Sequence, residues 1–403
     1  MAKNAARALR LFPACCAFCL PLFAATGACA ASFSACLADL RGAALASGVD
    51  SATFDKATQG LTPNPDVLAM AEVQPEFKTP IWDYLAGLVD EERVNDGRAM
   101  IARWSQALSA AESRFGVDKA IITAVWGVES DFGRNFGTRP VIQSLATLAC
   151  SGNRRAGYFR SELIAALKII QHGDVDPAQF NGSWAGAFGH TQFMPSTFLK
   201  SAVDLDGDGR KDLINSVPDA LGSTAAYLHK SGWLKGVEWG FEVRLPAHYA
   251  GPSGRGRKEA RAAWAARGLT RIDGSPLGPG PNAGLFLPAG PNGPAFLVTR
   301  NFDAIYSYNA AESYALAIAI LSDRLRGRHG IVAAWPTSDP GLSRAERREM
   351  QTLLMRRGYD LDGKADGVIG TKTKQAISDF QSKSGLHPDG RASVSVLAAL
   401  RGH

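Results

Sequence analysis

Ile121, Val125 and Glu129 recur every fourth residue in Asp118-Lys-Ala-Ile-Ile-Thr-Ala-Val-Trp-Gly-Val-Glu129. A carboxylate therefore continues the apolar stripe of a helix that Asp118 opens from the cap position. The elements that cover this stripe must also enclose an acid. Removal from water disfavours the charged form of a carboxyl group and raises its pKa. Two uses of such a residue are open: it pairs with an arginine and braces the core, or it stays protonated near neutral pH and serves as a general acid.

The surroundings are mainly helical from Ser32 to about Leu245, with apolar spacings of three and four across Ala99–Phe115, Gly157–Gln171 and Val217–His229. Residues 246–300 change character, with dense Gly and Pro in Gly274–Pro281 and Pro288–Pro294. Short strand candidates flank them at Gly240–Leu245, Gly284–Leu287 and Ala295–Thr299. A small β-rich insertion before a return to helix at Glu312–Leu325 fits this pattern. Trp335-Pro-Thr-Ser-Asp-Pro-Gly341 reads as a linker. Ser343-Arg-Ala-Glu346 is then a capping box that opens a last unit of about sixty residues. A unit that small is better suited to binding than to catalysis.

At 403 residues, 46% apolar and 20% charged, the chain is an ordinary globular one. Lys3, Arg7 and Arg10, the apolar run Leu11–Phe23 and the ending Ala28-Cys-Ala30 have the three zones of an export signal, with cleavage expected after Ala30. A competing reading makes Cys29 a lipid-modified N-terminus, although Thr26 stands where a lipoprotein signal usually has Leu. Beyond residue 30, 41 basic residues face 38 acidic ones. So slight an excess does not point to nucleic acid. Of six cysteines only Cys36 and Cys150 lie beyond the signal. In an exported protein these suggest one disulfide, the alternative being two buried thiols.

Ser183-Trp-Ala-Gly-Ala-Phe-Gly-His-Thr-Gln-Phe-Met-Pro-Ser196 mixes small residues with aromatic faces and an amide. That is the equipment of a sugar cleft, or of a tightly packed loop. With Val125-Trp-Gly-Val-Glu-Ser-Asp-Phe-Gly133, Val217-Pro-Asp-Ala-Leu-Gly-Ser223 and Tyr306-Ser-Tyr-Asn-Ala-Ala-Glu-Ser-Tyr-Ala315, the order of motifs resembles the B-type lytic murein transglycosylases. The resemblance spans most of residues 35–330. It implies a lysozyme-like α+β catalytic domain over 31–335, with the β-rich insertion inside it, and a linker over 336–342. Residues 343–401 resemble a three-helix peptidoglycan-binding domain, through Met350-Gln-Thr-Leu-Leu354, Asp366-Gly-Val-Ile-Gly370 and Ala376-Ile-Ser-Asp-Phe-Gln381.

The resemblance makes Glu129 the sole catalytic acid and base, needing no cofactor for its chemistry. Glycosidases generally use two carboxylates. Asp131 is a poor second, because residues two apart on a helix point in different directions. The family's substrate fills the gap by closing its own 1,6-anhydro ring. Ser183, Gln192, Tyr308 and Asn309 are expected to line the cleft, and Arg154, Arg155 and Tyr158 to touch substrate. For the arginines the alternative is a solvated basic turn, and for Tyr308 ordinary core packing. No role is assigned to His190. Simple hydrolysis of the same bond, or a non-catalytic wall-binding scaffold, are the rival functions.

Asp204-Leu-Asp-Gly-Asp-Gly-Arg-Lys-Asp212 carries carboxylates at positions 1, 3 and 5 of a calcium loop, and glycine at 6. Position 12 is Asn215 rather than Glu. A structural Ca²⁺ held by Asp204, Asp206, Asp208, the Arg210 carbonyl and a later Asp219 is the expectation, against a metal-free turn. The expected partner is the peptidoglycan glycan strand, met by a periplasmic monomer.

Overall fold

The computed structural model describes residues 24–71 and 79–402. Most of the expected export signal lies outside the described residues, and a helix over Ala24–Ala46 crosses the expected cleavage point. Among the described residues no helix is long and apolar enough to cross a membrane.

Helices dominate, as expected, and they pack around two large cores. The first gathers helices Glu91–Arg103, Ser105–Phe115, Lys119–Ser130, Val217–Lys230, Arg300–Asn309 and Glu312–Leu325. Lys119–Ser130 lies at its centre: Ile121 and Val125 are fully buried, and the Asp118 side chain caps the helix by accepting from the Ala120 N–H at 2.7 Å. The helix expected over Ala99–Phe115 is two helices that meet at Trp104. The second core is built by helices Val141–Ala149, Ala156–His172 and Pro195–Ser201 with Phe180, Phe188 and Phe193. Tyr227 and Tyr308 pack against both cores, so the seam between them runs past these two rings.

Cys36 and Cys150 are bonded, across 114 residues of sequence. The bond ties the N-terminal helix to the end of Val141–Ala149. Closing a loop of that length in the unfolded chain stabilises the fold by up to ~5 kcal/mol on the chain-entropy model.

The β-rich insertion is a four-stranded antiparallel sheet in the order Thr270–Arg271, Gly240–Arg244, Ala295–Val298, Gly284–Phe286. Its central strand Ala295–Val298 is buried at every position. The two-residue alternation of a strand explains why: Phe296 and Val298 face the first core, while Ala295 and Leu297 face a small core of the insertion's own around Trp264. The sheet is thus a wall between two apolar interiors.

The last unit has helices Arg344–Arg356, Thr371–Lys383 and Val394–Arg401 around Met350, Leu354, Ile377 and Leu397. Its first helix opens with the expected capping box of Ser343 and Glu346.

Candidate active site

Glu129 sits on the last turn of its helix, beside the seam and partly buried. Burial pushes its pKa up to about 8, against the opposing pull of a hydrogen bond from the Tyr314 hydroxyl to Oε1. Tyr314 is itself buried, and its own pKa is driven well above the usual tyrosine range by burial and by the neighbouring carboxylate, so it remains a donor. The other carboxyl oxygen has no partner among the described residues. The arginine brace that the helix left open is absent: among the described residues no cation pairs with Glu129. Among the described residues no second carboxylate bears on it either.

The chain leaves the helix through a left-handed turn. Asp131, Phe132 and Gly133 have φ of 51°, 58° and 85°. For Phe132 this backbone costs on the order of 1–3 kcal/mol and persists only where packing holds it. The ring is held edge-on against Trp126, with centroids 5.7 Å apart. Room for it comes from Gly127, where a Cβ would lie 2.7 Å from the ring, and from Gly97 at 3.1 Å.

This turn is stitched to the Ser183–Ser196 loop through His190. Trp126 Nε1 donates to His190 Nδ1 at 3.1 Å, and Ser130 Oγ donates to the His190 carbonyl at 2.5 Å. Burial pulls the His190 pKa down to about 4, so the ring is neutral near pH 7 and its Nδ1 is free to accept. Sequence gave His190 no role, and neither it nor Tyr314 stands out by residue type. Their importance is visible only once two distant segments meet.

Of the residues expected in the cleft, Tyr308 lies against Tyr314, ring centroids 6.2 Å apart and nearly parallel, and its hydroxyl donates to the Thr191 carbonyl at 2.7 Å. Gln192, at a φ of 49°, donates from Nε2 to Phe136 and Gly189 carbonyls at 3.1 and 2.8 Å, which anchors the loop after Glu129. Ser183 Oγ accepts from the Ala187 N–H at 3.1 Å inside its own turn. Asn309 is exposed at the end of its helix. Arg154, Arg155 and Tyr158 are all exposed at the head of Ala156–His172, where Arg155 lies over the Tyr158 and Phe159 rings at 5.2 and 5.3 Å. No described contact joins them to the Glu129 pocket.

In the acidic loop, Asp204, Asp206 and Asp219 converge, with one carboxylate oxygen of each within 4.8 Å of the others. Asp219 is fully buried, which raises its pKa, while backbone N–H groups of Leu205 and Asp212 donate to it at 2.8 and 2.9 Å. None of the three enters an ion pair among the described residues. Three oxygen donors of one sign, without a counter-charge, fit a hard divalent cation. Asp208, whose carboxylate accepts the Arg210 backbone N–H at 2.8 Å, lies in the same loop outside this three-carboxylate group, and Arg210 is exposed.

Comparison with known proteins agrees with this geometry. Residues 32–323 match the model of the transglycosylase SLT domain, and residues 343–400 that of a peptidoglycan binding domain. The chain is 35% identical over 237 residues to membrane-bound lytic murein transglycosylase B of Escherichia coli K12, a match covering 58% of this chain and 64% of that protein's length. SltB3 from Pseudomonas aeruginosa, solved with NAG-anhNAM-pentapeptide, superposes with a TM-score of 0.73 and 44% identity, covering 92% of this chain and 99% of that one. The Escherichia coli lytic transglycosylase SLT35, solved in complex with calcium, gives a TM-score of 0.64 and 30% identity over 73% of this chain and 92% of its own. With an acid held by burial at the end of a central helix, and a family model that matches most of its length, the chain belongs to the transglycosylase SLT domain family.

Proposed function

We propose that the protein is an exported peptidoglycan lytic transglycosylase that cuts the β-1,4 bond between N-acetylmuramic acid and N-acetylglucosamine. Glu129 donates its proton to the bridging oxygen as the bond to C1 breaks. The N-acetyl group of the muramic acid supports the developing charge at C1. The Glu129 carboxylate then takes the proton of the same sugar's C6 hydroxyl, and that oxygen bonds to C1. The acid is regenerated, the product ends in a 1,6-anhydro ring, and no water is consumed.

The observation that supports this reading is a single carboxyl group whose pKa burial pushes up to about 8, with one oxygen held by Tyr314 and no companion carboxylate among the described residues. A hydrolase of the ordinary kind needs a second acid to activate water or to attack C1. Tyr314 serves both stages, since its hydroxyl stabilises the carboxylate that proton donation leaves behind. Ser183, Gln192, Tyr308 and Asn309 line the substrate cleft in this reading, and Arg154, Arg155 and Tyr158 meet more distant parts of the wall polymer. Residues 31–335 form the catalytic unit, 336–342 the linker and 343–401 the wall-binding unit, which keeps the cleft near an insoluble substrate. Cleavage of the signal near Ala30 delivers the protein to an oxidising periplasm, where the Cys36–Cys150 bond is stable.

Mass spectrometry of muropeptides released from purified sacculi is the direct test. Anhydro products are expected. Products heavier by one water mean hydrolysis and refute the proposal.

Asp204, Asp206 and Asp219 would hold a structural Ca²⁺. Calcium at about 100 times its Kd then stabilises the fold by ~2.7 kcal/mol. The melting temperature is expected to rise on adding CaCl₂ and to stop responding in Asp219→Asn. An equal rise in the variant would show that the ion acts elsewhere.

A further inference from the structure

The C-terminal unit does not merely hang from its linker. Its first helix docks on the catalytic unit with charged side chains, and the docking face is centred on the turn that follows Glu129. Arg344 is almost buried there, its side chain 11% exposed. Its NH1 donates to Asp131 Oδ1 at 2.7 Å and its NH2 to Asp96 Oδ2 at 3.3 Å, while its backbone N–H donates to Asp90 Oδ2 at 3.2 Å. Beside it, Arg348 donates to Glu92 at 2.6 Å. The far end of the unit is fixed by Arg391, which grips both carboxylate oxygens of buried Asp83 at 2.5 and 2.8 Å.

Asp131 is the residue that makes the left-handed turn after the Glu129 helix. From the catalytic unit it meets Arg93 at 3.4 Å, a buried guanidinium whose Nε and NH1 have no partner among the described residues, and Arg134 at 3.4 Å. Those two contacts are long. The short, forked one comes from Arg344. A planar guanidinium that bridges Asp131 and Asp96 fixes direction as well as distance. The turn that it fixes begins two residues beyond Glu129 and contains a phenylalanine at positive φ, a conformation that needs support from outside itself.

We propose that Arg344 is a positioning residue for the general acid: by holding Asp131, the docked C-terminal unit sets the turn that aims the Glu129 carboxyl into the cleft. The inference rests on Glu129 being the acid of the proposed reaction. It gives the wall-binding unit a second task, since an undocked unit leaves the catalytic turn without its short contact. Small displacements of a reacting group have large rate effects, so the loss falls on kcat.

The test is steady-state kinetics of the full-length protein on a soluble tetrasaccharide muropeptide and on sacculi, with melting curves for every variant. On the tetrasaccharide, Arg344→Gln and Asp131→Asn are each expected to lower kcat about tenfold or more, with KM within twofold of wild type. The double variant is expected to be no worse than the poorer single one. Arg356→Gln removes an equal charge from the exposed end of the same helix, away from the docking contacts, and is expected to stay within twofold. Should Arg344→Gln not fold, Arg344→Lys carries the test, because it keeps the charge but loses the fork, and the same direction is expected. A normal kcat on the tetrasaccharide with a loss confined to sacculi would make Arg344 part of a tether and overturn the proposal, as would losses that multiply in the double variant. A wild type that releases no anhydro product overturns the functional reading itself, and this inference with it.

Discussion

Glu129→Gln is expected to lower glycan cleavage by on the order of 10²–10⁴-fold, the range over which a positioned general acid acts. The amide keeps the shape and can still accept from Tyr314, but it has no proton to give. Wild-type activity is expected to hold across acidic and neutral pH and to fall as pH rises through about 8, where burial has placed the Glu129 pKa. The variant should also be the more stable protein. Glu129 binds its proton more tightly folded than unfolded, so between its ordinary value of 4.5 and about 8 the native state of the wild type loses stability as pH rises. Glutamine escapes that penalty. Sacculus digestion followed by muropeptide analysis measures the first effect, and melting curves at pH 5 and pH 8 the second. A variant that keeps wild-type activity would remove Glu129 from the chemistry, and a melting difference independent of pH would remove the protonated carboxyl.

Gly137→Ala is expected to cost roughly 3–5 kcal/mol, a large part of the ~5–15 kcal/mol that holds a typical domain together. Two effects coincide at this position. Its φ of 81° disfavours any side chain, and an added Cβ would run into the Gly182 carbonyl and lie 2.8 Å from the Ser183 backbone nitrogen. Those atoms are backbone and cannot rotate away. The clash would wedge apart Arg139–Pro140 and its partner Asn181–Gly182, the short strand pair that leads into the Ser183 loop. Gly173→Ala separates the two effects: φ is 77° there, but a Cβ meets nothing within 4 Å, so only the backbone cost of about 1–2 kcal/mol is expected. Urea unfolding gives both values. Equal costs at the two sites would show that the Gly182 approach does not matter.

Much of this was legible from sequence for a physical reason. Helix periodicity, caps and strand alternation are local, so Lys119–Ser130, Glu312–Leu325, the Ser343 cap and the strands at 240, 284 and 295 appear close to where their residues placed them. The raised Glu129 was legible because the apolar stripe carries its own prediction of burial. What stayed hidden depends on contacts between segments far apart. Tyr314 lies 185 residues from Glu129, His190 lies 64 from Trp126, and Arg344 lies 213 from Asp131. Tyrosine, histidine and arginine are common in every role, so residue type alone could not select these three. The acidic loop was legible for the local reason: the motif supplied Asp204 and Asp206, and the expected later Asp219 joins them from the following helix.

The seam through Tyr227 and Tyr308 has a mechanical consequence. Each half of the catalytic unit has its own apolar interior, but the halves share a spine: Val217–Lys230 gives Ala220 to one interior and Leu221, Ala225 and Leu228 to the other. Parting them would break the bonds from Tyr308 to Thr191, from Gln192 to Phe136 and the two that reach His190, and would unpack both interiors along that shared helix. Walls braced on one common helix keep the Glu129 turn and the Ser183–Ser196 loop at a fixed spacing.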